Sequence, residues 1–128
     1  MQTALKRLPD AELEVMKALW DAGRPLTRPE LDTALRGRNW AATTVLGLLS
    51  RLEGKGFLTR QRQGRGYLYA PAVPRETYLA VEGRSALGRM FAGSAKNLVA
   101  ALHECDALSR EEVDELAAYL ETLKRGDP

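Results

Sequence analysis

Residues 56–69, GFLTRQRQGRGYLY, break a chain that follows helical periodicity on either side, and they limit the folds open to it. Phe57–Gln63 and Tyr67–Ala70 read as two short strands. Gly64-Arg65-Gly66 between them supplies residues able to take positive φ, as a tight hairpin turn requires. An isolated two-stranded hairpin is marginal in water. This one is therefore expected to lie against helices, through Leu58 and Leu68. It also carries Arg60, Arg62 and Arg65. Guanidinium groups set along so narrow a ribbon repel one another unless an oppositely charged surface meets them.

Three helices are expected before the hairpin. Leu13, Met16, Leu19 and Trp20 recur at helical spacing from Asp10 to Ala22, and Gly23 is the stop. The second begins at Thr27, which forms a capping-box pattern with Glu30; Leu26 and Leu31 make the matching hydrophobic staple. Pro29 is tolerated in its first turn, and it ends near Gly37. The third covers Ala42–Lys55 with an apolar stripe of Val45, Leu48, Leu49 and Leu52, and Gly54 and Gly56 end it. After the hairpin, APAVP at 70–74 reads as a linker. Helices are expected over Arg75–Phe91, Ala95–Glu104 and Ser109–Lys124, the last opened by a second capping box, Ser109 with Glu112. The chain thus reads as two lobes, 1–72 and 73–128.

Composition narrows the function classes. The 128 residues are 45% hydrophobic and 28% charged, the balance of a soluble globular protein. No apolar run approaches the ~18 residues a membrane span needs. The N-terminal stretch MQTALKRLPDAELE has carboxylates where a signal peptide needs its apolar core, so no membrane insertion and a cytoplasmic location are expected. A single cysteine, Cys105, excludes an intrachain disulfide and any CxxC centre. His103 lies two residues away, but on a helix i and i+2 point in different directions, which favours a helix-end histidine and a small thiol over a metal pair. With one histidine, no GxSxG and no phosphate-cradling loop, no enzyme is expected, and no metal or cofactor. The acidic residues Glu111, Glu112, Asp114 and Glu115 lie in the first turns of the last helix, where they complement its dipole.

Charge is distributed unevenly. Residues 1–72 hold 12 Lys/Arg against 7 Asp/Glu, whereas residues 73–128 hold 7 against 10. From Arg36 to Arg65 there are seven cations (Arg36, Arg38, Arg51, Lys55, Arg60, Arg62, Arg65) and one anion, Glu53. That asymmetry suggests a polyanion-facing lobe and a second lobe with another task.

Three short helices followed by a basic hairpin form a winged-helix pattern: mainly α, with a helical lobe after it. The third helix turns its leucine stripe inward, so Thr44, Gly47 and Arg51 share the outer face, which fits the major groove of B-DNA. Thr43 and Thr44 can donate hydroxyls to phosphates or base edges. Arg51 is the best candidate for a guanine or phosphate contact. On the wing, Arg60, Arg62 and Arg65 are expected to contact phosphates, which set register without reading sequence. Tyr67 either hydrogen-bonds a phosphate or packs, and Trp40 anchors the loop before the third helix. Gly47 either lets the backbone approach DNA or is simply tolerated. The second lobe is too short to bury an adequate core alone. Its apolar residues, Leu98, Leu102, Val113, Leu116 and Leu120, want a partner, either the first lobe or a second copy; the linker favours the second copy, making a homodimer. The alternative reading is a winged-helix protein-interaction module without sequence-specific DNA binding.

The stretches AELEVMKALW, NWAATTVLGLLSRLEGKGFLTR, GRGYLYAPAV and RETYLAVE, with LVAALHECDALSREEVDELAAYL near the end, resemble the BlaI/MecI/CopY family of winged-helix repressors along nearly the whole chain. The most specific part is W-x-x-x-T-x-x-x-L-L-x-R-L-x-x-K-G, from Trp40 to Gly56. The resemblance implies a homodimer on a dyad-symmetric double-stranded DNA operator, blocking transcription of resistance or homeostasis genes. In the β-lactamase branch it further implies release by proteolysis of the C-terminal lobe, triggered by a membrane sensor-transducer metalloprotease. Three departures from the family pattern stand out. Ala41-Ala42-Thr43 replaces Ser-Pro-Lys, Gly47 replaces a threonine, and the cleaved Asn-Phe bond aligns with Ala101–Leu102. The chain also lacks the CxC tail of the copper branch.

Overall fold

The computed structural model describes residues 5–126, which fall into two compact units divided between Gly83 and Arg84. In chain order the first unit holds α1 (Asp10–Ala22), β1 (Leu26–Thr27), α2 (Arg28–Ala34), a 3₁₀ turn (Arg36–Arg38), α3 (Ala42–Gly54), β2 (Leu58–Gln63), β3 (Gly66–Pro71) and the start of α4 (Arg75–Phe91). The strands form one antiparallel sheet in the order β1-β3-β2. The hairpin is thus extended by a third strand only two residues long, absent from the sequence reading because Leu26 and Thr27 double as staple and cap of α2.

Local signals explain most boundaries. Asp10 and Glu12 place carboxylates in the first turn of α1, and Gly23 closes it at φ +68°, a left-handed conformation that glycine adopts without a Cβ penalty. At α2 both halves of the capping box form: the Thr27 hydroxyl accepts from the Glu30 N–H, and the Glu30 carboxylate accepts from the Thr27 N–H at 2.9 Å. α2 ends at Leu35, and Asn39 at φ 56° redirects the chain into α3.

The core is built from one stripe of each helix and the inner face of the sheet. Val15, Met16 and Leu19 from α1, Leu31 from α2, and Val45, Leu48, Leu49 and Leu52 from α3 are buried with Leu26, Phe57 and Leu58. Each such side chain contributes about 1.5–3 kcal/mol relative to leaving it in water. The expected Leu58–Leu68 pair is half right. Leu58 is buried, but Tyr69 takes the second place and Leu68 is half-buried. The register explains it: Leu58 pairs with Pro71 and Arg60 with Tyr69, which puts Tyr69 on the Leu58 face.

The 70–74 segment, expected to be a linker with a boundary after residue 72, is part of the first unit. Ala70 and Pro71 belong to β3, the N–H groups of Ala72 and Val73 donate to the Phe57 carbonyl, and Trp20 Nε1–H donates to the Val73 carbonyl at 2.9 Å. What carries the unit on to Gly83 is Tyr78 of α4. Its ring lies edge-on to Phe57 at 5.7 Å and tilted against Trp20 at 5.8 Å. Its hydroxyl accepts the buried Leu8 N–H at 2.8 Å. One side chain thereby ties the chain's N-terminal segment, α1 and α4 together.

The second unit, residues 84–126, holds the rest of α4, α5 (Ala95–Glu104) and α6 (Arg110–Arg125). Ser94 caps α5, and Ser109 with Glu112 forms the second capping box at α6. Among the described residues of this unit none is buried. Leu98, Leu102 and Leu116 are half-buried, while Val113 and Leu120 are exposed, with Tyr119 and Leu123 beside them. Among the described residues no helix is long and apolar enough to cross a membrane.

Two outcomes are expected. Tyr78→Phe keeps the ring contacts but leaves the buried Leu8 N–H without an acceptor, which should cost about 1–3 kcal/mol in urea unfolding. A variant as stable as the parent would remove Tyr78 from its anchoring role. The second concerns pH. The Arg24 guanidinium, and after it the Thr27 N–H, hold the Glu30 carboxyl down to about 2. Because its folded value is depressed, its contribution to stability is present above the ordinary carboxylate range and is lost as pH falls toward 2. Carbon-13 NMR of the side-chain carboxyl should place its midpoint there, and a midpoint near 4 would mean that the cap is not formed in solution.

Candidate nucleic-acid interface

Burial of its apolar stripe decides what α3 displays. Thr43, Thr44, Leu46, Ser50 and Arg51 are exposed and Gly47 is half-buried. The N-cap, Ala41, offers no side-chain acceptor to the first turn. With no side chain closing it, that helix start resembles the ends that accept anionic oxygens elsewhere. Leu46 and Ser50 were not among the residues picked out from sequence. They lie on the flank of α3 that meets the wing, lining a shallow groove with Gly47, Glu53, Arg60 and Tyr69. The signal was available: both fall outside the 45-48-49-52 stripe, and Leu46 is a large apolar side chain left half in water, at 51% exposure.

The wing resolves its own charge problem. Gly64 at φ +58° begins a two-residue turn, Gly64-Arg65, the position a II′ hairpin turn reserves for glycine; Gly66 has no positive φ. In the β2–β3 register Arg62 pairs with Tyr67 and Arg60 with Tyr69, so both guanidinium groups and both rings share one face. The Arg60 guanidinium sits 4.3 Å from the centre of the Tyr67 ring and that of Arg62 5.6 Å from it. Cation–π contacts of this kind are worth about 0.5–1 kcal/mol each at exposed sites. Arg60 also pairs with Glu53 of α3 at 3.3 Å, joining wing to helix. Tyr67 is therefore a packing surface for two arginines. Among the described residues no carboxylate pairs with Arg62 or with Arg65 at the tip, and both are exposed.

Arg51 is more constrained than its spacing suggests. Its Nε lies 3.3 Å from Oε2 of Glu12 on α1, while the Lys55 ammonium contacts Oε1 of the same carboxylate. Glu12 is 3% exposed, the one charged residue in the core among those described. From this hold the guanidinium reaches back along α3, as helical side chains do. Nη1 comes 3.6 Å from where a Gly47 Cβ would stand. That is an ordinary van der Waals distance, so an alanine would fit there and the guanidinium's position does not require the glycine. Glu12 also escaped the sequence reading, although it stands on the apolar stripe of α1 with Val15, Met16 and Leu19, where a carboxylate needs a partner. Trp40 packs against the core, which suits an anchor for the loop before α3.

Comparison with known proteins agrees with this geometry. The family model described as "Penicillinase repressor" matches residues 8–122. The penicillinase repressor of Bacillus licheniformis is 34% identical over 123 residues, covering 94% of this chain and 96% of that protein. The transcriptional regulator BlaI of Mycobacterium tuberculosis is 32% identical, covering 95% and 88%. The methicillin resistance regulatory protein MecI of Staphylococcus aureus is 23% identical, covering 94% and 98%. A solution structure of the Bacillus licheniformis BlaI monomer in complex with the blaP half-operator superposes with a TM-score of 0.50 at 32% identity, covering 61% of this chain and 94% of that one. The chain belongs to the penicillinase-repressor family, the BlaI/MecI transcriptional repressors, which are not enzymes.

Proposed function

We propose that this protein is a homodimeric repressor that binds a dyad-symmetric operator in double-stranded DNA, with α3 in the major groove and the wing along the flanking backbone. The observation that carries the reading is the shared face of Arg60, Arg62 and Tyr67, joined to the exposed side of α3 through the Arg60–Glu53 pair. In this reading Thr43, Thr44, Gly47 and Arg51 meet bases or nearby phosphates. Arg60, Arg62 and Arg65 meet phosphates and release condensed counterions. That the BlaI structure, 32% identical to this chain, holds the blaP half-operator supports DNA as the ligand.

The second unit is the dimerisation lobe in this proposal. Its helices are well capped, yet none of their described residues is fully buried, so the apolar row of Leu98, Leu102, Val113, Leu116 and Leu120 needs a partner to offset the entropy of ordering it. A second copy fits by symmetry. Two half-site contacts held together by the dimer bind far more tightly than either alone, because the second forms at high effective concentration. The relatives' names point to resistance genes as targets, and the protein acts in the cytoplasm. Release by a membrane sensor-transducer metalloprotease would act on the Ala101–Leu102 bond. That bond lies inside α5, where the Ala101 carbonyl accepts from the Cys105 N–H, so the last turn must unwind before a protease can reach it.

Titrating the chain with its own upstream DNA across a salt series should give affinity that falls linearly on a log–log plot. Arg62→Ala should flatten the slope by about 1 while weakening all sequences alike. Salt-independent attachment would favour a protein-interaction module instead. Leu116→Glu should convert the dimer to monomer in sedimentation and weaken operator binding, whereas an intact dimer would take α6 out of the interface.

A further inference from the structure

We infer that Glu12 is a specificity-setting positioning residue: from beneath the DNA-facing surface it holds the Arg51 guanidinium over Gly47, so that a base edge, and not merely a phosphate, is what Arg51 reads. The inference rests on the DNA-binding reading above and deepens it.

An arginine with five donors and rotamer freedom grips any phosphate within reach, and such contacts carry no sequence information. Discrimination needs the planar fork presented in one orientation, as in the bidentate pairing of arginine with guanine O6 and N7. Two observations supply that orientation here. Arg51 Nε is engaged by Glu12 Oε2 at 3.3 Å, which leaves the two terminal nitrogens for a ligand. Glu12 is buried on α1, a rigid support on which Val15, Met16 and Leu19 are fixed in the core. The guanidinium so held lies along α3, Nη1 at 3.6 Å from where a Gly47 Cβ would stand, an ordinary van der Waals distance. The guanidinium nonetheless remains accessible, since the Arg51 side chain is 58% exposed.

The same carboxylate limits indiscriminate binding. Glu12 takes Arg51 on one oxygen and Lys55 on the other, so two cations at this end of α3 are partly neutralised from within. Each cation withheld from the phosphates reduces the salt-dependent, sequence-blind part of the affinity. Glu12 therefore acts twice on the ratio of specific to non-specific binding: it orients one reader and restrains two general anion contacts.

The test uses the full chain and two duplexes of equal length, one enriched by the unaltered chain from a random-sequence pool and one scrambled. Glu12→Gln keeps the size of the side chain and one acceptor oxygen. Its expected effect is tighter binding to the scrambled duplex and a specificity ratio lower by roughly tenfold, within the range a bidentate base contact commands. In an Arg51→Ala background the same change should lower the ratio much less, because only Lys55 is then released. A loss of folded protein scales both affinities together and does not move the ratio, which separates this role from a structural one. Arg51→Lys leaves the buried carboxylate in place and keeps the charge but not the fork, so it should lower the ratio by a similar factor even if Glu12→Gln folds poorly. A ratio unchanged in either single variant, or lowered equally by Glu12→Gln without Arg51, overturns the inference while the DNA-binding reading stands. If the unaltered chain enriches no sequence and shows no salt-sensitive attachment to DNA, both fall.

Discussion

Val45, Leu48, Leu49 and Leu52 of α3 are buried against α1 and the sheet, and that burial fixes the rotation of α3 about its own axis. Everything the helix can do follows from it. Four large side chains facing inward leave no freedom in which residues face outward, because a turn of the helix by one position would put a leucine in water and a threonine or arginine in the core. The cost of that exchange, several kcal/mol for each misplaced side chain, exceeds anything the surface residues could return. Thr43, Thr44, Gly47 and Ser50 are thus displayed by default, their chemistry chosen independently of the fold, whereas Arg51 is displayed and also answers to the buried Glu12.

The surface formed this way carries many like charges, and the structure disperses the repulsion by two different means. On the wing, Tyr67 of β3 is a flat partner for Arg60 and Arg62, and Glu53 takes up Arg60 from the helix side. At the far end of α3 a single buried carboxylate serves Arg51 and Lys55 together. The two solutions differ in consequence. A ring holds a guanidinium loosely and leaves all its donors free, which suits contacts to a phosphate row of regular spacing. A buried carboxylate takes one donor and fixes the rest, which suits contact with one base edge. The exposed ion pairs elsewhere, such as Arg24–Glu30 and Arg28–Asp32, stiffen α2 locally and contribute little more.

Legibility in the sequence followed the range of the interaction. Helix ends set by neighbours in the chain were readable: both capping boxes form as expected, and α4 and α5 have the bounds that periodicity assigned. The wing was readable too, since its Gly-Arg-Gly tip and arginines are local. What escaped depends on contacts between distant residues. Pro71 and Pro74 suggested a linker, but Tyr78 and Leu8, 70 positions apart, meet in the core and carry the first unit past it. The swap of Tyr69 for Leu68 depends on strand register, which composition does not reveal. Glu12 meets Arg51 and Lys55 across about forty positions, and only its place on an apolar stripe hinted that it was buried.

Tyr78 also decides where the first unit ends. α4 begins inside the first unit, anchored through that ring, and its later turns belong to the second. The Tyr78 hydroxyl accepts a buried N–H from Leu8 and its ring meets Trp20 and Phe57, so the first turns of α4 are fixed in the core of the first unit. Aromatic pairs of this geometry add about 0.5–1.5 kcal/mol each beyond the area they bury. The cluster of Trp20, Phe57 and Tyr78 therefore closes the first unit where local composition suggested a linker: loosening it would free the start of α4 and the segment around Leu8 while leaving the α3 stripe buried.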